Sequence, residues 1–349
     1  MADLRFSPDA MQIPLPRGIR LRRGTDSDEF ATFDVMRRAM GCEMTWSHHA
    51  AMRAHLRTSP QCSFWVAEEV SRAGRARPVG YARSTVRERV WNLNEFFLLP
   101  EYQRRGIGGA LLACCLADGD SASAETRYVL ASQNARADAL YIRRAGCFPR
   151  IPMLLLAGSL QSLVAPAGCQ IQDTRLTLPT RRAQHNGATL LAEPLFFEGE
   201  AAEAINALDR RIVGYARPEE HRHWAREMGG PQGSARIFRR RSPDTGAGGP
   251  IAGYAYLGPH ASGPILAEDP SDLPGMIAHI AAVHCALPAS RGDFDPSPEH
   301  HFAVPGTNEQ VLRWLLECRW QIVFQYLFMS SRPFGAFEHY VCHNPLYTL

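Results

Sequence analysis

The stretch "PEYQRRGIGGALL" at residues 100–112 places two arginines and three glycines directly before an apolar run. Where a helix begins, the first amides have no partner within the helix and point outward at the positive end of the helix dipole, so an anion is stabilised there. Glycines allow left-handed backbone angles and close approach, which together produce a concave group of N–H donors. Gln103 to Gly109 meet these needs, and Arg104 and Arg105 add positive charge. The stretch is therefore a candidate cradle for a diphosphate.

Two common phosphate-binding loops do not fit this stretch. A dinucleotide-binding G-x-G-x-x-G loop that starts at Gly106 and Gly108 would need a third glycine where Leu111 stands. A Walker A loop needs a lysine, and all 38 basic residues of the chain are arginine. An ordinary glycine-rich helix start is the alternative that the residues leave open.

The composition is that of a globular protein with room for two domains, because 349 residues are long for a single core. The net charge of +3 is too small to indicate nucleic-acid binding. The nine cysteines include no C-x-x-C pair, and the histidine groups lack metal-ligand spacing, so neither a disulfide framework nor a metal site is indicated. We expect a cytoplasmic protein that binds no nucleic acid, membrane or metal, and the sequence leaves a monomer and a homodimer both open.

Short strand-like runs alternate with helical runs in the first half of the chain. Residues 18–24 predict a strand, and the capping residues that follow predict a helix with the apolar stripe Phe30, Phe33, Met36 and Met40. Further strands are predicted at 63–69, 79–88, 90–99, 127–132 and 151–158, and helices at 107–116 and 135–146. The glycine stretch therefore lies between a strand and a helix of a mixed α/β (α+β) fold.

The second half of the chain repeats features of the first at nearly constant spacing. The matching pairs are Gly41 with Gly214, Tyr81 with Tyr254 (254 minus 81 is 173), and Asn134 with Asn308 (308 minus 134 is 174). This recurrence predicts two copies of one fold unit, with accidental matches between unrelated α/β domains as the alternative. The predicted boundaries are an N-terminal extension at 1–17, a first domain at 18–160, a linker at 161–190 and a second domain at 191–349.

Two motifs in a fixed order give the first half a family resemblance. Gln103, Gly106 and Gly108 carry the pattern Q/R-x-x-G-x-G/A, and the downstream motif is formed by Asn134, Ala137, Leu140, Tyr141 and Gly146. With both motifs, residues 18–157 resemble the GNAT superfamily of N-acyltransferases, whose glycine loop binds the pyrophosphate of acetyl-coenzyme A. The family commonly has Phe where this chain has Cys147. The resemblance implies two tandem GNAT-like folds, each a mixed and mostly antiparallel sheet flanked by helices.

The resemblance implies a cofactor site along the strand end and the loop. The strand end at Phe97, Leu98 and Leu99 would pair with the pantetheine arm and offer an amide to the thioester oxygen. The diphosphate would be held by the loop residues Gln103, Arg104, Arg105, Gly106, Ile107, Gly108 and Gly109. Asn134 would contact the cofactor or hold the strands apart, although an asparagine that caps a helix is the competing interpretation.

Catalytic roles follow from the same resemblance. Tyr141 would protonate the departing thiolate of coenzyme A, with a packing tyrosine as the alternative. The amine must be neutral to attack, so a base is expected, and Glu95 is the candidate by position on the strand that leads into the loop. A solvated strand glutamate is the competing interpretation of Glu95. His48, His49 and His55 could contribute to the acceptor site, or be surface histidines.

The second copy lacks these features. The residues 173 positions after the glycine loop read "MIAHIAA" at 276–282, and the preceding "ILAEDPSDLPG" is acidic with one glycine. Trp314 stands nearest to the position of Tyr141, and an indole has no titratable proton to give. The second copy is therefore expected to be a GNAT-like fold without its catalytic residues.

These observations predict an N-acyltransferase that moves an acetyl group from acetyl-coenzyme A to a small-molecule or peptide amine. Direct attack of the bound amine on the thioester is expected, without a covalent acyl-enzyme. Two alternatives stay open: a non-catalytic acyl-CoA sensor or interaction protein, and a tandem transferase that uses a large acyl or aminoacyl donor. The acceptor itself cannot be read from the residues.

Overall fold

The computed structural model describes residues 13–349 except 53, 55, 57–60, 176–188, 231–232, 243, 259–261, 288–298 and 345–348. The chain divides into two compact units. Unit 1 comprises Met1–Pro149 with Met329–Arg332, and unit 2 comprises Arg150–Phe328 with Pro333–Leu349. Of the predicted linker at 161–190, residues 176–188 lie outside the described residues.

Unit 1 is built around a five-stranded sheet. Its elements are β1 (Ile19–Arg23), α1 (Glu29–Met40), α2 (Trp46–Met52), β2 (Cys62–Val70), β3 (Ala76–Arg87), β4 (Val90–Leu98), α3 (Ile107–Ser121), β5 (Thr126–Ser132) and α4 (Ala135–Leu140). The order is β1-β2-β3-β4-β5, with antiparallel neighbours up to β4 and a parallel β4–β5 pair. The predicted mixed, mostly antiparallel sheet is confirmed.

Strand alternation sends α1 and α3 to opposite faces of this sheet. On one face, Arg83 of β3 contacts Glu29 of α1. On the other face, the Trp91 indole of β4 donates to the Cys115 carbonyl of α3 at 3.0 Å. The predicted stripe of α1 is partly wrong, because Phe33 and Met36 are buried but Phe30 is 65% and Met40 57% exposed. Phe30 packs instead against Trp46 of α2, with ring centroids 5.8 Å apart, and Met40 is the last residue of the helix.

Local signals set the remaining helix ends of unit 1. The predicted helix at 135–146 is α4 followed by a π-helical turn at Tyr141–Ala145, and Gly146 ends it with a left-handed φ of 64°. Helix α1 ends in the same way at Gly41, also with φ 64°. Glycine is favoured at such positions because it has no Cβ to clash in the left-handed region.

Unit 2 contains a six-stranded sheet and a second group of three strands. Its elements are β6 (Phe148–Gly158), β7 (Ile171–Asp173), β8 (Leu190–Pro194), α5 (Gly199–Ile212), α6 (Pro218–Met228), β9 (Arg236–Arg241), β10 (Gly248–Leu257), β11 (Ser262–Ala267), α7 (Leu273–Ala286), β12 (His300–Pro305), α8 (Glu309–Glu317), β13 (Gln321–Ser330) and β14 (Tyr340–Val341). The larger sheet has the order β14-β11-β10-β9-β8-β7, and β6 lies between β12 and β13. Only the β7–β8 pair of the larger sheet is parallel among the described pairs.

The element order of unit 1 recurs in unit 2. From β1 to β6 the sequence of elements is strand, two helices, three strands, helix, strand, helix and strand, and the same sequence runs from β8 to β13. Tyr81 and Tyr254 are both fully buried on the middle strands β3 and β10. Asn134 and Asn308 both cap the helix that follows, α4 and α8. The predicted duplication is therefore present in the fold.

Candidate active site

Strands β4 and β5 part in the middle of unit 1. Their parallel register runs from Val90–Thr126 to Leu93–Val129, although β4 continues to Leu98 and β5 to Ser132. On its other side β4 pairs with β3, and the register shifts between Arg83–Glu95 and Ser84–Leu93. Asn94 is thus an extra residue, a β-bulge that bends the strand. The bend opens the sheet at the strand end that carries Phe97 and Leu98.

The loop after β4 has the backbone shape that an anion cradle needs. Gln103 donates from its side-chain amide to the Leu98 carbonyl at 3.2 Å, which ties the loop to the strand end. Arg104 has φ +65° and Gly106 has φ +82°, so two left-handed residues precede the first turn of α3. Such a sequence turns successive amides toward one point. Arg104 and Arg105 are exposed at the rim, and Ile107 is buried beneath it.

Close packing explains one of the loop's glycines, Gly108, whereas a Cβ on Gly109 would make only ordinary contacts. A Cβ added to Gly108 would lie 3.3 Å from the Phe96 ring, a residue of β4 that the sequence analysis did not single out. A Cβ on Gly109 would lie 3.9 Å from Leu140 of α4 and 3.8 Å from Ile13. The start of α3 therefore borders the end of β4, the end of α4 and the N-terminal segment at Ile13.

Tyr141 lies beside the same strand end. Its side chain is buried, and its ring centroid is 6.0 Å from that of Phe96. Burial, with Asp138 and Cys147 nearby, raises the pKa of the Tyr141 phenol well above its usual range. The phenol is therefore protonated at neutral pH, as a general acid must be, and its raised pKa also makes it a weaker acid than an ordinary tyrosine.

Asn134 caps helix α4. Its side-chain oxygen accepts hydrogen bonds from the amides of Arg136 at 3.2 Å and Ala137 at 3.3 Å. This is the capping arrangement that the sequence left as the competing interpretation. A contact of Asn134 with a cofactor stays a prediction.

Glu95 lies within a buried polar cluster on the opposite face of β4 from Phe96. The Arg83 guanidinium donates to Glu95 at 2.9 Å and to Glu29 at 3.1 Å. The Tyr81 hydroxyl donates to the other Glu95 oxygen at 3.3 Å. Burial disfavours the charge of Arg83, but the Glu95 and Glu29 carboxylates outweigh this effect and raise its pKa. Glu95 is neither a solvated glutamate nor an isolated carboxylate.

His49 joins this cluster from α2. Its Nε2 atom is 4.0 Å from Glu95 Oε1, and its ring centroid is 5.0 Å from that of Phe33. His49 is fully buried, so it is not a surface histidine. The structure does not describe the side chain of His48, and His55 lies outside the described residues.

The structure brings the predicted site residues together in two groups on opposite faces of β4. The loop, Phe96 and Tyr141 lie on the face toward α3, and Glu95 lies on the face toward α1. Sequence reasoning missed Arg83, Glu29 and Tyr81. The available signal was the alternation in "VGYARST", which puts Tyr81 and Arg83 on one face of β3. Among the described residues, no group of three or more His, Cys, Asp or Glu is arranged to hold a metal ion.

Unit 2 carries a different polar cluster at the matching helices and strand. Asp209 of α5 accepts from Arg217 and from His221 Nε2 at 2.8 Å each, and from the Tyr254 hydroxyl at 2.5 Å. All four side chains are buried. Burial raises the pKa of Asp209, but Arg217 and His221 outweigh this and lower it to about 2. The carboxylate is fully engaged by its own neighbours.

The described part of the chain contains no helix long and apolar enough to cross a bilayer.

Comparisons with known proteins agree with this geometry. Residues 33–147, all within unit 1, match the model of the acetyltransferase (GNAT) family. A candidate acetyltransferase from Pyrococcus horikoshii is similar over 94% of this chain and 95% of its own, with TM-score 0.63 and 14% identity. A tandem GNAT protein from the clavulanic acid biosynthesis pathway is similar over 91% of this chain and 100% of its own, with TM-score 0.56 and 16% identity.

A GCN5-related N-acetyltransferase from Sphaerobacter thermophilus is similar over 92% of this chain and 98% of its own, with TM-score 0.56 and 13% identity. These likenesses extend over both units and support the tandem fold. No curated protein sequence matches the chain.

Proposed function

We propose that unit 1, whose residues 33–147 match the model of the acetyltransferase (GNAT) family, moves an acetyl group from acetyl-coenzyme A to a primary amine. The observation that carries this proposal is the parting of β4 and β5 beside a loop with two left-handed residues. The family generally uses acetyl-coenzyme A as its donor. The acceptor is a small-molecule or peptide amine.

The donor fits the residues present. The pantetheine arm would lie along β4 at Phe97, Leu98 and Leu99, where β5 has turned away from its neighbour. The diphosphate would be held by the amides from Arg104 to Gly109, because Gly106, Gly108 and Gly109 add no side chains of their own at the helix start. Arg104 and Arg105 would supply positive charge against the phosphates.

The two faces of β4 suit the two proton transfers of the reaction. The amine would attack from the face of Glu95, and the thiolate would leave toward the face of Tyr141. A buried phenol that keeps its proton is suited to protonate that thiolate. Glu95, held by Arg83 and Tyr81, would receive the amine proton directly or through water.

The test is a two-part assay on the full chain. Binding of coenzyme A is measured by calorimetry, and thiol release from acetyl-coenzyme A is followed over a panel of small-molecule and peptide amines. Thiol release with one class of amine supports the proposal. Binding without turnover over the whole panel would instead support the acyl-CoA sensor, and absence of binding would overturn both.

A further inference from the structure

The start of α7 in unit 2 corresponds to the start of α3 in unit 1. Helix α7 follows β11 as α3 follows β4, and α8 follows β12 as α4 follows β5. Trp314 of α8 is 173 positions after Tyr141. The position between the start of α7 and the end of α8 is thus the counterpart of the donor site that we propose for unit 1.

Residues 162–169, called the strap here, lie at this position in unit 2. Gly275 in the first turn of α7 faces Cys169, and a Cβ on Gly275 would overlap the Cys169 sulfur. Trp314 donates from its indole nitrogen to the Val164 carbonyl at 2.9 Å. Trp320 donates in the same way to the Ser162 hydroxyl at 3.2 Å. Three separated contacts therefore hold both ends and the middle of the strap.

Two open cavities border the strap. One, of 410 Å³, is lined by Pro166, Pro274 and Trp314, among others, and the second, of 670 Å³, is lined by Val164, Pro166 and Trp314, among others. Pro166 and Trp314 line both cavities, so the two cavities adjoin at the strap.

The charge at the start of α7 also differs from that of α3. Asp269 and Asp272 precede α7, where Arg104 and Arg105 precede α3. Carboxylates at a helix start compete with an incoming diphosphate for the same positive dipole end. The start of α7 thus makes contacts that fit the strap, and it lacks the positive charge that a phosphorylated donor would need.

We propose that the strap is a permanent intramolecular occupant of the donor position of unit 2, so that the chain takes one coenzyme A and not two. The comparison with a donor position rests on the function proposed for unit 1. The residues that adapt unit 2 to the strap are Gly275, Trp314 and Trp320, and Trp314 stands where unit 1 has its proposed general acid.

Stoichiometry is the first test. Calorimetric titration of the full chain with coenzyme A is expected to give one binding equivalent per chain, and two equivalents would overturn the strap proposal. If no coenzyme A binds at all, the proposed function of unit 1 fails. The strap proposal is then tested by thiol labelling alone.

The rate at which iodoacetamide labels Cys169, measured by peptide mass spectrometry, reports directly whether the strap is docked. Burial and the Asp272 carboxylate raise the pKa of the Cys169 thiol, so its labelling is slow while the strap is docked. Cys285, exposed on the same helix α7, is the internal reference. We expect Trp314→Phe, which removes the bond to Val164, to speed labelling of Cys169 at least threefold without changing Cys285. Equal labelling of Cys169 and Cys285 in the wild type would overturn the proposal.

A size exchange completes the test. Gly275→Ala places a methyl group where the Cys169 sulfur lies, so the strap should be displaced and labelling of Cys169 should rise at least tenfold. Adding Cys169→Gly to Gly275→Ala removes the overlap and should restore most of the lost thermal stability. The strap proposal is contradicted if Gly275→Ala labels and melts like the wild type. It is also contradicted if the double variant is no more stable than Gly275→Ala.

Discussion

The third helix of unit 1 and the third helix of unit 2 occupy the same place in the same order of elements, yet their first turns differ in kind. Helix α3 begins at Ile107 after the left-handed residues Arg104 and Gly106, and Gly108 and Gly109 add no side chains to its first turn. Helix α7 starts after two aspartates and a proline, and Cys169 packs on its one glycine. The fold therefore requires only a strand followed by a helix at this place. The two left-handed residues before α3 have no counterpart among the described residues directly before α7.

The polar clusters of the two units differ in a related way. In unit 2 the Asp209 carboxylate receives three donors at 2.8 Å or less. In unit 1 Glu95 receives Arg83 at 2.9 Å, Tyr81 at a longer 3.3 Å, and lies 4.0 Å from His49. The tyrosine contact is therefore longer in unit 1 than in unit 2, where the Tyr254 hydroxyl is 2.5 Å from Asp209.

The largest expected effect is on donor binding at the start of α3. Gly108→Val would place side-chain atoms against Phe96, since even a Cβ lies 3.3 Å from that ring. We expect affinity for coenzyme A to fall by at least about 100-fold, which is about 2.7 kcal/mol. Calorimetry measures the change. The matched control is Ser271→Val, at the exposed start of α7 in unit 2, which should bind coenzyme A like the wild type; equal losses in both variants would show that the two helix starts do not differ in function.

The next effect is on the chemical step. Tyr141→Phe removes the phenol proton and should lower kcat by about 100-fold with little change in KM for acetyl-coenzyme A. Because the Tyr141 pKa is raised, its proton is kept as pH rises, and the wild type should show no loss of kcat from this group up to about pH 10. Trp314→Phe at the matching position of unit 2 should keep the wild-type kcat. Unchanged turnover in Tyr141→Phe would make Tyr141 a packing residue.

The smallest effect separates the two polar clusters. Glu95→Gln should lower kcat by about 10-fold and leave KM for the donor unchanged, because a neutral amide cannot accept the amine proton. Asp209→Asn should instead lower the melting temperature at neutral pH and spare kcat. Since the Asp209 pKa is lowered to about 2, its contribution to stability is present above the ordinary carboxyl pKa of about 3.9 and is lost as pH falls through about 2.

Steady-state kinetics and thermal melts of Glu95→Gln and Asp209→Asn show whether Glu95 acts in catalysis and Asp209 in stability. A Glu95→Gln variant that melts early but turns over normally would place Glu95 in the same structural role as Asp209, and the base would have to be sought elsewhere.

Sequence reasoning succeeded where the controlling interactions are local. The loop and helix α3 follow from glycines and an apolar run, and the caps at Gly41, Gly146 and Asn134 involve neighbours within a few residues. The surroundings of Glu95 could not be predicted in the same way. They depend on the pairing of Arg83 with Glu95, which is set by a bulge at Asn94 and by a helix that begins 66 residues earlier in the chain, at Glu29.

Contacts between distant segments could not be predicted from the sequence either. Nothing in the glycine loop indicates that Ile13 lies beside it, and nothing in the linker composition indicates that Cys169 packs on Gly275. The exposed Phe30 and Met40 show a further limit, since helical spacing alone cannot tell which apolar positions the rest of the chain covers.

The parting of β4 and β5 has a consequence for how such a protein can change over generations. The gap is made by a bulge in the main chain and by the directions of two strands, and the neighbouring cradle is made of amides. Side-chain substitutions on α1 and α2 can therefore alter the surroundings of Glu95 while these main-chain groups stay in place. Under the function proposed for unit 1, a change of acceptor then needs only point mutations, and the use of the donor is inherited unchanged.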